Sequence, residues 1–285
     1  MTSPMTAAMT TATTIGTGTP AYALDQSWYA ERDRLTSLTA LYDEGTVDLA
    51  VRLGLGPGWR CADVAAGTGT VARLFAERVG PGGRVLAVDV DTRFLEPLAT
   101  DVVEVAQADV TVTPLPHGSF DLVHARLLLE HLPVRDRLLR ELAAAVRPGG
   151  WLLVEDFDWV TAGLVHPPSA VHEKVSGAVR GLQPPRLRRA VRPPAATGDG
   201  RRRTSRRGHP HRCPPGRCRP RHRRAAVGAA RAAARARDAG GRLVTPADLD
   251  AFGALCHDGD TVMFAPLMVS TAGRRPGPDE GLRRG

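Results

Sequence analysis

Apolar positions along the 285-residue chain change their period several times. Between Leu24 and Leu55, "LDQSWYAERDRLTSLTALYDEGTVDLAVRLGL" spaces Leu35, Leu38 and Leu41, and then Val47, Leu49, Val51 and Leu53, as an amphipathic helical region. Short apolar runs follow. Arg60–Ala65, Arg84–Asp89, Val102–Gln107, Phe120–Ala125 and Trp151–Phe157 predict strands, and helical spacing at Val71–Val79 and Val134–Val146 predicts helices between them. "RPGG" at Arg147–Gly150 reads as a turn into the fifth strand. Alternating β and α units imply an α/β fold, a Rossmann-like parallel sheet with helices on both faces.

After "PPSAVHEKVSGAVRGL", which reads as a helix, the pattern stops. From Arg188 to Arg242 there is no Leu, Ile, Met or aromatic residue, and Val191 and Val227 are the only branched aliphatics. Ordering the backbone costs about 1–2 kcal/mol per residue, which such a composition cannot offset, so the segment is expected to lack structure. The pattern returns at "LVTPADLDAFGALC", where Thr245 is a good N-cap, Pro246 suits the first helical position and Asp248 completes a capping box. Thr261–Thr271 predicts a last strand that docks beside the fifth. The expected division is a disordered tail at 1–20, one cofactor-binding domain at 21–182, an Arg/Pro-rich stretch at 183–242, and a residual helix and strand of the same domain at 243–285.

Charge sharpens this division. The net charge is +8, yet Arg186–Arg242 holds 19 arginines against Asp199 and Asp238, so the remainder is acidic. Lys174 is the sole lysine. Three readings compete for the basic stretch. A nucleic-acid arm has the charge but lacks the interleaved aromatics of single-strand stacking. A metal site at His209, His211, Cys213, Cys218 and His222 has an uncommon spacing and opposing charge. The third reading is a pair of compensating frame changes near 182–188 and 239–243 in a GC-rich gene, because Arg, Pro, Ala and Gly enrichment is what such a gene yields out of frame. The coding DNA read in its other two frames tests it. No run approaches 18 apolar residues, the N-terminus lacks the features of a secretory signal, and four cysteines form no disulfide framework, so the expected location is the cytoplasm.

Candidate chemistry gathers at "CADVAAGTGTVARLF". Gly67-Thr-Gly69-Thr-Val-Ala72 fits a dinucleotide spacing, with Asp89 about 20 residues on. Three features point elsewhere: Asp63 ends the first strand, where it can meet a ligand's ammonium group; Asp109 ends the third; and "SFDLVHARLLLEHLP" runs a fourth strand into a short apolar helix. With "VLAVDVD", "QADVTVTPLPHGSFDLVHARLLLEHL" and "LRELAAAVRPGGWLLVEDF", the blocks over about Tyr29–Trp159 resemble the class I S-adenosylmethionine-dependent methyltransferases, in particular the ubiquinone/menaquinone-biosynthesis branch.

The resemblance implies S-adenosyl-L-methionine as cofactor and methyl transfer to a small-molecule acceptor. It implies Gly67 and Gly69 for close backbone approach to the methionine moiety, with Ala65 where the family usually has its first glycine. It implies Asp89 as acceptor from the ribose hydroxyls beside Val90, Asp109 as acceptor from the adenine amino group, and Val110 as a backbone donor to the ring. Each has a plainer reading: Asp89 and Asp109 as helix caps, Gly67 and Gly69 as turn residues.

Arg126 is a candidate contact to cofactor or to an acidic acceptor, or a solvated arginine. A general base is needed only for an acceptor that must lose a proton; His131 is a weak candidate beside Glu155, Asp156 and Asp158, and Tyr42 is a core residue or a lid. The alternatives are a chain that binds the cofactor but turns over poorly, an NAD(P)-dependent oxidoreductase, for which the lone Lys174 offers no Tyr-x-x-x-Lys pair, and nucleic-acid binding through the arginines. No membrane partner is expected, nucleic acid is the less favoured partner, and the sequence does not give the oligomeric state.

Overall fold

The computed structural model describes residues 29–158, 165–181, 203–206, 244–258, 260–263 and 267–277. Its elements run α1 (Tyr29–Leu53), β1 (Arg60–Val64), α2 (Thr70–Val79), β2 (Arg84–Asp89), β3 (Val103–Gln107), β4 (Phe120–Arg126), α3 (Arg135–Ala145), β5 (Val146–Asp158), β6 (Val165–His166), α4 (Ala170–Gly181), β7 (Arg203–Arg206), α5 (Pro246–His257), β8 (Val262–Met263) and β9 (Leu267–Arg274). Short 3-10 turns at Glu96–Leu98 and Leu129–His131 follow β2 and β4.

Seven strands form one sheet in the order β3-β2-β1-β4-β5-β9-β7. The first five are parallel, as alternating β and α units require, and β9 joins β5 antiparallel. The strand order reverses between β1 and β4, so the carboxyl ends of these two strands frame the switch-point crevice of a doubly wound sheet.

Each sheet face carries its own core. On one, α3 lays Leu138, Leu142 and Ala145 against Ala62, Val64, Leu86, Val88, Val123 and Ala125. On the other, α2 turns Val71, Ala72, Phe75 and Val79 inward, and the C-terminal turns of α1 add Val47, Leu49, Ala50 and Leu53 over Cys61, Val85, Ala87, Leu122 and Leu153. Phe75 is wholly buried, worth about 2–3 kcal/mol of transfer free energy.

Several expectations need correction. The two helical runs of the leading region belong to one 25-residue helix from Tyr29. "RPGG" is the start of β5, not a turn before it. Gly149 adopts φ +82°, and a Cβ on Gly150 would stand 2.7 Å from the Asp121 carbonyl oxygen. The edge therefore bulges between the Phe120–Val146 and Leu122–Trp151 pairs without leaving the sheet.

The predicted last strand divides. Val262–Met263 pairs with Val165–His166 in a separate two-stranded sheet, and Leu267–Arg274 lies along β5 from Asp158 to Trp151. β9 carries Met268 and Ala272 into the core, which fixes its register. Within the stretch expected to lack structure, Arg203–Arg206 pairs antiparallel with β9; a strand needs only backbone partners, which the free edge of β9 offers. The rest of 183–242, including the Cys/His cluster and the two frame boundaries up to Leu243, lies outside the described residues, as does the 1–20 tail.

The capping at α5 follows its sequence. The Thr245 hydroxyl accepts from the Asp248 N–H, and the Asp248 carboxylate accepts from the Thr245 N–H. Asp248 also receives Lys174 Nζ at 2.6 Å, and His172 stacks on Phe252, so α5 packs against α4.

Candidate cofactor site

The loop after β1 is made of backbone in the left-handed region. Ala65, Gly67 and Gly69 have φ of +57°, +57° and +71°. Glycine adopts this freely; alanine is strained there by about 1–2 kcal/mol. Leu127, directly after β4, is the other non-glycine residue with positive φ, at +54° among the described residues. Its N–H reaches the Glu155 carbonyl at 2.8 Å, which holds it in place. The two strained residues thus flank the switch-point crevice from its two sides. Strain of this kind persists where the surrounding structure imposes it, and it concentrates at ligand sites. Ala65→Gly relieves it while leaving the loop's path unchanged, so we expect a melting temperature higher by about 2–4 °C, read by calorimetry.

Asp89 ends β2 facing this loop. Its Oδ2 accepts the Gly67 N–H at 2.8 Å and its Oδ1 accepts the Asp91 N–H at 3.1 Å. Burial raises its pKa against the lowering effect of these bonds. A carboxylate oxygen has two lone pairs, so both oxygens retain acceptor capacity. Val90 beside it is 47% exposed, an unusual apolar surface at a strand end. Val110 is buried against the α3-side core. Asp109 caps the turn after β3, its Oδ1 accepting from the Thr111 N–H and hydroxyl at 2.8 and 2.6 Å.

The Gly69 position is already filled by the chain. A Cβ there would lie 2.3 Å from Leu98 Cδ1 and 2.7 Å from Leu95 Cδ2. The glycine lets the 3-10 turn after β2 close on the loop, a packing role that spacing alone does not reveal. Two buried polar atoms at the loop have no hydrogen-bond partner among the described residues, Asp63 Oδ2 and Thr68 Oγ1. Leaving such atoms unsatisfied costs about 1–3 kcal/mol each, which a ligand bearing an ammonium or a hydrogen-bonding carboxylate recovers.

The other Asp63 oxygen leads into a network absent from the sequence reading. His124, fully buried on β4, places Nδ1 2.7 Å from Asp63 Oδ1 and Nε2 3.2 Å from Glu155 Oε2. Glu155 also accepts from the Thr46 hydroxyl of α1 and the Ser270 hydroxyl of β9, each at 2.5 Å. Arg126 donates to Thr46 Oγ1 at 3.1 Å and to Asp43 at 2.7 Å. Burial alone lowers the His124 pKa, but the two flanking carboxylates overcome it and raise it to about 9. Burial alone raises that of Glu155; the imidazolium, Arg126 and Ser270 hold it down at about 2. His124 is therefore an imidazolium clamped between two carboxylates.

Arg126 thus bonds to α1, not to solvent. His131 sits 3.2 Å from Glu130 on the α3 side of the sheet, and burial together with the Glu130 charge raises the pKa of Asp156 well above its ordinary value. Tyr42 packs on Phe157 at 5.4 Å. The signal for His124 was present: a histidine inside "FDLVHAR", with acids at matching depth in the neighbouring strands. Only the register, Asp63 beside His124 and Arg126 beside Glu155, turns it into a cluster.

Residues 62–154 match the family model described as a methyltransferase domain, and those bounds run from β1 into β5. Over that stretch, about a third of its length, the chain is similar to a methyltransferase domain. Its similar relatives include a ubiquinone/menaquinone biosynthesis C-methyltransferase of Hahella chejuensis, 32% identical over 44% of this chain and 52% of the relative. The enzyme of that name from Bordetella avium is 35% identical over 40% and 46%. A methyltransferase of Strobilurus tenacellus is 35% identical over 45% and 44%. The chain spans about half the length of these relatives. The matched residues 62–154 include β1, the loop after it and β4, which frame the switch-point crevice; α4, α5 and β9 lie beyond them. No described helix is long and apolar enough to cross a membrane.

Proposed function

We propose that the chain transfers a methyl group from S-adenosylmethionine to a small-molecule acceptor. The observation that carries this is the crevice itself: strained Ala65 and Leu127 on its two sides, with Asp63 Oδ2 and Thr68 Oγ1 buried and unsatisfied at the loop. These atoms fit the amino-acid end of the cofactor, and the acceptor capacity left on Asp89 fits a ribose diol. Exposed Val90 offers an apolar surface for the adenine, with Asp109 and the Val110 N–H as its polar partners. The glycines meet no phosphate in this reading; they serve close approach and the packing of Leu95 and Leu98.

When bound, the cofactor supplies an electrophilic methyl group on a sulfonium. The chain's contribution is to hold and align, which can provide roughly 7–11 kcal/mol in well-ordered cases. Arg126 and Asp43 tie α1 to the crevice rim, which orders that side of the site. The His124 imidazolium, fully buried between two carboxylates, is not placed to take a proton from an acceptor.

Isothermal titration with S-adenosylmethionine and with NADH tests the reading. We expect micromolar affinity for the first and none for the second. Tight NADH binding overturns the assignment in favour of an oxidoreductase. Binding of S-adenosylmethionine without turnover on any phenol, amine or quinol offered favours the cofactor-binding, catalytically impaired form.

A further inference from the structure

The buried imidazolium has no evident place in the chemistry, yet it connects the cofactor loop to four other elements. His124 makes an edge-on contact with Phe75 of α2, bonds Asp63 of β1 and Glu155 of β5, and through Glu155 reaches Thr46 of α1 and Ser270 of β9. A neutral side chain would fill the same volume at lower desolvation cost, since replacing buried ion clusters by apolar residues is often stabilising. Retaining a charge here points to something that charge does for a neighbour.

That neighbour is Asp63. Its two oxygens differ in one respect: Oδ1 is held at 2.7 Å by Nδ1, whereas Oδ2 is buried with no partner among the described residues. The carboxylate is therefore fixed in rotation by the ring and open on one side. Without the ring at 124, Asp63 Oδ1 loses its partner and the buried carboxylate gains from rotating toward a new donor. That rotation removes the open acceptor.

We propose that His124 is a positioning residue that holds the Asp63 carboxylate with its Oδ2 turned to receive the ammonium group of the cofactor's amino-acid end. The inference rests on the methyltransferase reading and deepens it. It makes His124 a determinant of which adenosine thioethers the crevice accepts: those with an amino-acid tail are selected over those without. Glu155, Thr46 and Ser270 form the far anchor of the imidazolium, so docking of α1 and β9 supports the same selectivity.

Two ligands without a sulfonium charge isolate the effect. S-adenosylhomocysteine and 5′-methylthioadenosine share the adenosine and the thioether sulfur and differ in the amino-acid end. In titrations of the full chain, His124→Gln and Asp63→Asn should each weaken S-adenosylhomocysteine roughly 10- to 100-fold and leave 5′-methylthioadenosine within about twofold. A purely structural role weakens both ligands alike and overturns the inference, as does loss of neither. Failure of the wild-type chain to bind either adenosine ligand overturns the methyltransferase reading itself.

A measurement on the wild-type chain covers the case in which His124→Gln does not fold. The ring ¹⁵N resonances of the imidazole that titrates near 9 should shift on adding S-adenosylhomocysteine and stay in place with 5′-methylthioadenosine. Equal shifts with both ligands, or none with either, count against the proposal.

Discussion

Replacing Glu155 with alanine lowers the melting temperature by about 10 °C. The side chain is buried and accepts from Thr46, Ser270 and His124. Its removal leaves an imidazolium with one carboxylate partner and takes an acceptor from the Thr46 and Ser270 hydroxyls. Breaking a buried pair from one side costs about 3–5 kcal/mol, and a domain of this size loses roughly 2–4 °C per kcal/mol. The variant also changes the pH dependence. His124 carries a folded pKa raised to about 9, so its stabilisation is complete below its unfolded value and is lost as pH rises toward 9. Glu155, lowered to about 2, stabilises above its unfolded value and stops doing so as pH falls toward 2. Without Glu155 the alkaline decline flattens, since His124 has lost one of the carboxylates that raise it. Calorimetry from pH 5 to 10 reads both effects. A loss below about 2 °C with an unchanged alkaline limb sinks this account of the network.

Asp89→Ala weakens S-adenosylmethionine binding roughly 100-fold and leaves the fold nearly intact. Hydrogen bonds to a charged acceptor are worth about 1.5–3 kcal/mol, and this carboxylate is placed both to accept from the ligand and to hold the loop through the Gly67 N–H. The carboxylate is buried against its own ionisation preference, so its removal costs little stability. Asp89→Asn separates the two roles. It keeps an oxygen for Gly67 and removes the charge, and we expect an intermediate loss near tenfold. Titration calorimetry beside far-ultraviolet circular dichroism checks the pair. An affinity change under threefold in the alanine variant removes Asp89 from the site.

Those two residues also mark where sequence reading succeeds and where it stops. The place of Asp89 at the end of β2, facing the glycine loop, was legible because its information is local: an apolar run, a carboxylate at its end, and a glycine loop about 20 residues earlier. The five parallel strands, the α2 and α3 helices and the Thr245 capping box were legible for the same reason, since each rests on periodicity or on a contact within three or four residues. The start of β5 was misjudged because Gly149 and Gly150 look like a turn until the bulge against Phe120 and Leu122 is seen. The packing role of Gly69 was not legible because nothing in a one-dimensional pattern announces Leu95 and Leu98 folding back onto it. Arg126 was left between cofactor and solvent, for its partner Asp43 is 83 residues away.

What the sequence determined alone is the alternation that makes a doubly wound sheet and the placing of small residues and acids at the ends of its strands. Both follow from short-range sterics and from burial of apolar stripes. The tertiary structure alone decided that Asp63, His124, Glu155, Thr46 and Ser270 are one object. Their charges become strongly coupled only when five distant segments are brought within hydrogen-bond distance and water is excluded, because Coulomb attraction weakens steeply in a high-dielectric, solvated chain.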